Sequence, residues 1–212
     1  MNFQEFKASV KSMPVLTGKD AVRLGNRQTM YNQIMNWQRK GLLVQLRRGL
    51  YTLGKTERKT EPSPLFLAGQ IYSPSYISLE YALGLYGLIP EMVVEVTSVT
   101  TKNPVRFQNE FGKFAYQHIK RAAFRGFRTE KNQSGLAYFI AEPEKAVVDF
   151  IYLNLPRFKV GDKEIFSQSY RFQNLDSLSL KKLASYASFF GNAKLDGVIT
   201  TFCDFVKEEL RP

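Results

Sequence analysis

The chain has little of the chemistry that metal centres and disulfide frameworks require. It contains one cysteine, Cys203, and one histidine, His118. A single cysteine excludes an internal disulfide framework and a cysteine-rich zinc site. A single histidine excludes sites built on several imidazoles and leaves little room for a catalytic triad. We therefore expect no metal ion and no cofactor.

Long apolar runs are also missing. No stretch approaches the roughly 20 apolar residues that a membrane-spanning helix needs. The first seven residues, MNFQEFK, do not place a basic start before an apolar segment as a signal peptide does. We therefore expect a cytoplasmic protein that has no membrane partner.

The remaining composition is that of a globular protein. Of the 212 residues, 44% are hydrophobic and 23% are charged. This length corresponds to one or two domains and is enough to bury a core. Fibrous and fully disordered classes are excluded.

Positive charge is concentrated near the N-terminus. The chain holds 30 Lys and Arg against 19 Asp and Glu. Residues 1–60 carry 12 basic and 3 acidic residues, whereas residues 61–130 and 131–212 each have a net charge of +1. A uniformly basic protein would spread this excess along the chain. The pattern indicates a small polyanion-binding domain, residues 1–60, attached to a nearly neutral body, residues 61–212.

Apolar spacing within the first 60 residues predicts three short helices. Residues 2–11 repeat apolar side chains at intervals of three and four, which is typical of an amphipathic helix. Thr17 and Asp20 resemble a capping box at the start of a second helix. A third helix is expected from about Arg27 to Lys40.

A hairpin is predicted directly after the third helix. Two β-prone runs, residues 42–46 and 50–53, flank Arg47, Arg48 and a glycine. Three helices followed by a hairpin with a basic tip form the layout of a winged helix-turn-helix domain. In that geometry the third helix enters the major groove and the hairpin lies along the backbone. The proline-containing, charged segment 54–64 predicts a linker or exposed connection to the body.

One face of the third helix has the side chains that suit DNA. Met30, Ile34 and Trp37 form the stripe that is expected to be buried. The opposite face has amide, aromatic and cationic groups, which suit base edges and phosphates, and no acid. We expect base contacts from Gln28, Tyr31, Asn32, Asn36 and Arg39, and phosphate contacts from Thr17, Lys19, Arg47 and Arg48. The alternative is that this polar face is only solvated and that the domain binds protein.

The body has the pattern of a mixed α+β domain. We expect strands over residues 93–100, 105–111, 114–119 and 136–141, because these runs are rich in β-branched and aromatic residues. Helices are expected over 78–87, 143–153 and 179–190, with a last helix from about residue 195 to residue 210. The prediction is therefore an α+β protein: a winged helix-turn-helix domain and a C-terminal domain with a small sheet covered by helices.

An ordered set of short motifs resembles a known family. The motifs are LRRGLY at 46–51, PSYISLEYAL at 74–83, GLIP at 87–90, VTSVT at 96–100, GKF at 112–114, and PEKA at 143–146 with Asp149. Together they are similar to antitoxins of the abortive-infection AbiEi type, from bacterial type IV toxin–antitoxin pairs. The resemblance implies a winged helix that represses its own operon on double-stranded operator DNA. It also implies a C-terminal domain that counteracts a nucleotidyltransferase-like toxin.

Enzymatic interpretations are less well supported by the sequence. Glu142, Glu144, Lys145 and Asp149 form a dense charged cluster in an apolar stretch, which suits either a nuclease-like site or, as we expect, a structural ion pair that orders the helix. The run Gly49–Thr56 matches a phosphate-binding loop, but the strand inside it is incompatible with that loop. We therefore expect a protein that is not an enzyme. A plain regulator with a ligand-sensing or dimerising body, and a DNA-processing nuclease, remain the alternatives.

Overall fold

The computed structural model describes residues 1–211, and their N-terminal part folds as three helices with a small antiparallel sheet. In chain order the elements are α1 (Phe3–Val10), β1 (Leu16–Thr17), α2 (Gly18–Val22), α3 (Arg27–Arg39), β2 (Leu43–Arg47) and β3 (Leu50–Leu53). Strand β3 lies between β1 and β2. The three predicted helices and the hairpin are therefore confirmed to within two or three residues at their ends.

Local capping explains where the first helices begin. The side chain of Asn2 accepts from the backbone N–H of Glu5, and the carboxylate of Glu5 accepts from the backbone N–H of Asn2. Thr17 and Asp20 make the same reciprocal pair at the start of α2, as predicted. Such a pair satisfies two backbone donors that have no partner inside the helix.

Aromatic side chains pack against one another in the core of this N-terminal unit. The rings of Phe6 and Trp37 lie 4.7 Å apart, and Phe3 stands edge-on to Trp37 at 5.5 Å. The buried members of this cluster are Phe6, Val10, Leu16, Ala21, Met30, Ile34, Trp37, Leu43, Tyr51 and Leu53. Leu46 and Leu50 belong instead to the core of the body, so the hairpin joins the two parts.

A mixed six-stranded sheet forms the centre of the body. Its strands are β4 (Ser75–Ile77), β5 (Val96–Thr100), β6 (Val105–Asn109), β7 (Gly112–His118), β8 (Phe127–Lys131) and β9 (Ala137–Ala141). They lie in the order β6-β7-β5-β4-β9-β8. The pairs β4–β9 and β5–β7 are parallel and the other neighbours are antiparallel.

Helices cover both faces of this sheet. Helix α4 (Pro64–Ile71) lies on one face, where the Tyr116 hydroxyl donates to the carbonyl of Ala68 at 2.7 Å. Helices α5 (Leu79–Leu85) and α6 (Pro143–Leu153) lie on the other, with α7 (Leu180–Ser188) and α8 (Ala193–Glu209) packed outside them. The α+β class is therefore confirmed. In residues 1–211 no helix combines the length and the apolar character needed to cross a membrane.

The connection between the two parts is packed rather than loose. The side chain of Arg58 is 7% exposed and donates to Glu61 at 2.6 Å and to the carbonyl of Leu53 at 3.2 Å. Lys7 and Glu57 form an ion pair at 2.8 Å between α1 and this segment. The segment therefore differs from the exposed linker expected from its composition, because its charges find partners in both parts. The domain division at residue 60 stays a prediction.

Candidate nucleic-acid interface

Helix α3 turns one side into the core and the other to solvent. Met30, Ile34 and Trp37 are 1%, 2% and 5% exposed, as the apolar spacing predicted. The expected base-contacting residues are all exposed on the other side: Gln28, Tyr31, Asn32, Asn36 and Arg39. Met35 lies among them and is 54% exposed. The face is continuous and carries no carboxylate.

The start of α3 is held by a side-chain cap. The Asn26 carboxamide oxygen accepts from the backbone N–H groups of Gln28 at 3.0 Å and of Thr29 at 3.4 Å. The Arg27 guanidinium lies 6.0 Å from the centre of the Tyr31 ring. The first turn contains no acid, so this end of the helix has positive character.

The first residue of α2 is hydrogen-bonded to the turn of the hairpin. The backbone N–H of Gly18 donates to the carbonyl of Gly49 at 2.9 Å. Lys19, which is exposed, therefore lies close to Arg48 on the hairpin turn. Gly49 has φ +77°, a conformation that glycine adopts without a steric penalty and that closes this tight turn.

Thr17 has a structural role at this point. Its hydroxyl donates to the Asp20 carboxylate at 2.7 Å and accepts from the backbone N–H of Asp20 at 3.3 Å. Hydrogen bonds from Thr17 lower the pKa of Asp20. The Thr17 side chain, expected to bind phosphate, is thus used by the cap.

The two hairpin arginines differ in their surroundings. Arg47 directs its guanidinium to the body, with Nε donating to the carbonyl of Ile71 at 2.5 Å and Nη1 donating to the carbonyl of Arg48 at 3.0 Å. Arg48 is exposed, and its side chain has no hydrogen-bond partner or ion pair within residues 1–211. Of these two side chains, Arg48 is the one whose guanidinium has no partner within the described residues.

Every acid of residues 1–60 is already paired. Glu5 is used in the cap of α1, Asp20 in the cap of α2, and Glu57 in the ion pair with Lys7. Within residues 1–211, Lys19, Arg39 and Arg48 form no ion pair with a carboxylate, while the capping carboxylate of Asp20 keeps its negative charge beside Lys19. A surface of this kind can bind phosphates through cations while the amides of α3 read base edges.

The charged cluster of α6 lies in the interior. Lys145 and Asp149 form a salt bridge one helical turn apart, and both side chains are 0% exposed. Asp149 also accepts from the hydroxyls of Tyr76 at 3.0 Å and Ser78 at 2.9 Å. Burial raises the pKa of Asp149 and lowers the pKa of Lys145. The predicted ion pair is confirmed, and it is not open to a substrate.

The other residues considered for catalysis or phosphate binding lie apart from one another and do not form a site. Glu144 is 4% exposed and accepts from the backbone N–H of Ser179 at 3.0 Å. Cys203 is half-buried in α8, where burial raises the pKa of its thiol. Residues 50–53 form β3 inside the apparent phosphate-binding loop, so rejecting that motif was correct. Among residues 1–211 no three His, Cys, Asp or Glu side chains gather as a metal site would require.

Comparison with known proteins assigns no family. No protein-family model matches the chain, and no curated protein sequence matches it. Support for a function therefore comes from the geometry of the N-terminal unit and from the resemblance of short motifs along the chain.

Proposed function

We propose that the chain is a DNA-binding transcriptional autorepressor and that residues 1–60 form a winged helix-turn-helix domain. The observation that carries this proposal is the exposed, acid-free face of α3, together with the exposed, unpartnered guanidinium of Arg48 on the hairpin turn. An α-helix fits the major groove of B-DNA, and amide and guanidinium groups pair with purine edges. The strand order β1-β3-β2, with β1 between α1 and α2, also supports it.

The residues divide into three roles. Gln28, Tyr31, Asn32, Asn36 and Arg39 contact bases from α3. Lys19 and Arg48 contact phosphates beside it. Thr17 and Arg47 position these groups, because their side chains are bonded within the chain.

The test is binding of the full chain to a duplex taken from directly upstream of its own gene. A scrambled duplex of equal length and composition is the comparison, across a series of salt concentrations. We expect tight and selective binding that weakens steeply as salt rises. Equal affinity for both duplexes, or no binding to either, would contradict the proposal.

The variant Arg48→Ala tests one proposed phosphate contact directly. The loss of one phosphate contact should weaken binding to both duplexes and reduce the slope of log K against log salt by about 0.9. Lys181→Ala, which removes an exposed cation of α7, is the matched control and should leave the slope unchanged.

The second part of the proposal is that residues 61–212 act as an antitoxin against a nucleotidyltransferase-like toxin. Its support is the resemblance to the AbiEi type alone. Co-expression with a nucleotidyltransferase-like protein encoded beside this chain tests it directly. We expect restored growth with the full chain. Growth arrest that persists at equal toxin levels would contradict it.

A nuclease is the weaker interpretation. The carboxylates considered for it, on Glu144 and Asp149, are buried and bonded to groups of the chain itself. A phosphodiester has no access to either side chain in this structure.

A further inference from the structure

A cavity of about 320 Å³ opens on the body where α4 passes the strands β8 and β9. Gly69 and Gln70 line it from α4, and Phe127 and Phe139 line it from the strands. Its volume lies at the lower end of the range for small-molecule sites, about 300–1,000 Å³. The cavity therefore fits a compact molecule better than a segment of a protein.

Aromatic rings form one wall of the cavity. The ring centre of Phe127 lies 5.4 Å from that of Phe124 and 5.7 Å from that of Phe139, which stands edge-on to it. Phe139 is 46% exposed, although burial of a phenyl ring usually stabilises a fold. Aromatic rings pack favourably on other flat rings, stacked with an offset or edge to face. This wall therefore suits a planar aromatic molecule.

Gly69 leaves open space on the side of the cavity formed by α4. A methyl group placed on Gly69 would have no neighbour within 4 Å outside its own helix. Packing therefore does not require glycine here, and glycine inside a helix is less stable than alanine. Helix α4 thus keeps the cavity open although a larger residue would stabilise the helix.

A polar group beside the cavity is also left unsatisfied. Ser75 lines the cavity and is 6% exposed, and its hydroxyl has no hydrogen-bond partner among residues 1–211. A buried hydroxyl without a partner lowers the stability of the fold. A serine hydroxyl changes direction by rotation about a single bond, so a molecule in the cavity can supply the missing partner.

The lining of the cavity is uncharged. Among residues 1–211, those that line it include no Lys, Arg, Asp or Glu. A charged molecule would lose hydration there without gaining an ion pair. The exposed carboxamide of Gln70 offers both a donor and an acceptor. The site therefore favours a neutral molecule that forms hydrogen bonds at one edge.

We infer that this cavity binds a small, neutral, planar aromatic molecule with a hydrogen-bonding edge. The flat face of the molecule packs against the phenyl rings, and its polar edge pairs with the Ser75 hydroxyl and the Gln70 carboxamide. This inference goes beyond the proposed DNA-binding function and does not depend on it.

The experiment uses benzamide as the probe and the full-length protein, with binding followed by NMR chemical shifts. The matched probe is cyclohexanecarboxamide, which keeps the carboxamide but has a saturated, non-planar ring. We expect benzamide to bind with a dissociation constant of about 1 mM, as is usual for so small a molecule. The saturated probe should bind ~2–10-fold more weakly, because it lacks the aromatic contact.

Two variants locate the site. Ser75→Ala should bind benzamide ~2–10-fold more weakly, while its unfolding temperature stays equal or rises because an unpaired buried hydroxyl is removed. Gly69→Leu should fill the cavity and abolish binding without loss of stability, since leucine favours a helix more than glycine does. The matched control is Ala193→Leu, which enlarges an exposed residue of α8 and should bind benzamide as the wild type does.

Three results would overturn the inference. The first is equal affinity for the two carboxamides, or no shift with benzamide at concentrations well above the expected constant. The second is unchanged binding of benzamide to Gly69→Leu. The third is a Ser75→Ala variant that is less stable than the wild type, since its hydroxyl would then already have a partner within the fold.

Discussion

Arg47 and Arg48 are neighbours in the sequence but have different physical roles. Arg47 gives its donors to two backbone carbonyls, which fixes the hairpin against the end of α4. Arg48 keeps five donors for an external acceptor. Sequence alone predicted a basic hairpin tip correctly. It did not distinguish the two arginines, because the carbonyl that holds Arg47 belongs to a residue 24 positions away.

Substitution of Asn32 is the best single test of whether α3 contacts the bases. It is exposed at the centre of the proposed face and has no side-chain partner within residues 1–211. Asn32→Ala should reduce the preference for the upstream duplex over the scrambled one by about 1–3 kcal/mol, the typical value of a bidentate pair with adenine. Competition binding with both duplexes measures this preference.

The control for Asn32→Ala is stability. Alanine has a higher helix propensity than asparagine, so the variant should unfold at the same or a slightly higher temperature. An equal loss of affinity for both duplexes in a stable variant would assign Asn32 to the phosphates instead of the bases.

At the scale of the element, α6 depends on one buried ion pair. Lys145→Met should destabilise the fold by about 3–5 kcal/mol, since it leaves the buried Asp149 without its cation. Urea unfolding measures this loss. The matched control is Lys182→Met, which breaks an ion pair whose lysine is 52% exposed and should lose only a small part of that stability.

The same variant should show a characteristic pH dependence. Burial raises the pKa of Asp149, and Lys145 is the main group that opposes this shift. The folded state already binds a proton at Asp149 more tightly than the unfolded state does, and removing Lys145 raises this folded pKa further. The free energy of unfolding that the variant loses relative to the wild type should be smallest near pH 4. This loss should grow as the pH rises through the folded pKa of Asp149. A deficit that stays constant from pH 4 to pH 8 would show that Lys145 acts by packing alone.

Elements with strong local signals were predictable. The periodic stripe of α3, the proline at the start of α6 and the Thr17 cap of α2 each specify a structure within a few residues. Helix α4 has a nearly unbroken apolar sequence, so no periodicity marks it as helical. Strand β4 has three residues, and β8 is a polar strand at the sheet edge, so both depend on their neighbours in the sheet.

At the scale of the whole molecule, the N-terminal unit and the body share a surface and part of a core. Leu46 and Leu50 pack with the body, and Asn109 of β6 donates to the carbonyl of Leu46 at 3.1 Å. These contacts fix the orientation of the hairpin relative to the sheet. The hairpin is therefore held in one arrangement relative to the body.

The excess of cations in residues 101–129, seven Lys and Arg against one acid, is visible in the sequence, but tertiary structure sets which of them meet. Lys102 follows β5, whereas Lys120 and Arg121 follow β7, and the parallel pairing of these strands brings the two ends together. Counting charge in long windows averaged these cations with acids that lie elsewhere. The exposed face of α3 was predictable because a helix brings residues together through its own period.

The central claim is that α3 and the hairpin turn contact duplex DNA. Photo-cross-linking of the full chain to an upstream duplex that contains 5-iododeoxyuridine, followed by peptide mapping, tests it most directly. We predict cross-linked residues within α3 and the hairpin turn, with Tyr31 foremost because its exposed ring lies on the proposed face. Cross-links confined to the body, with none between residues 27 and 50, would contradict it.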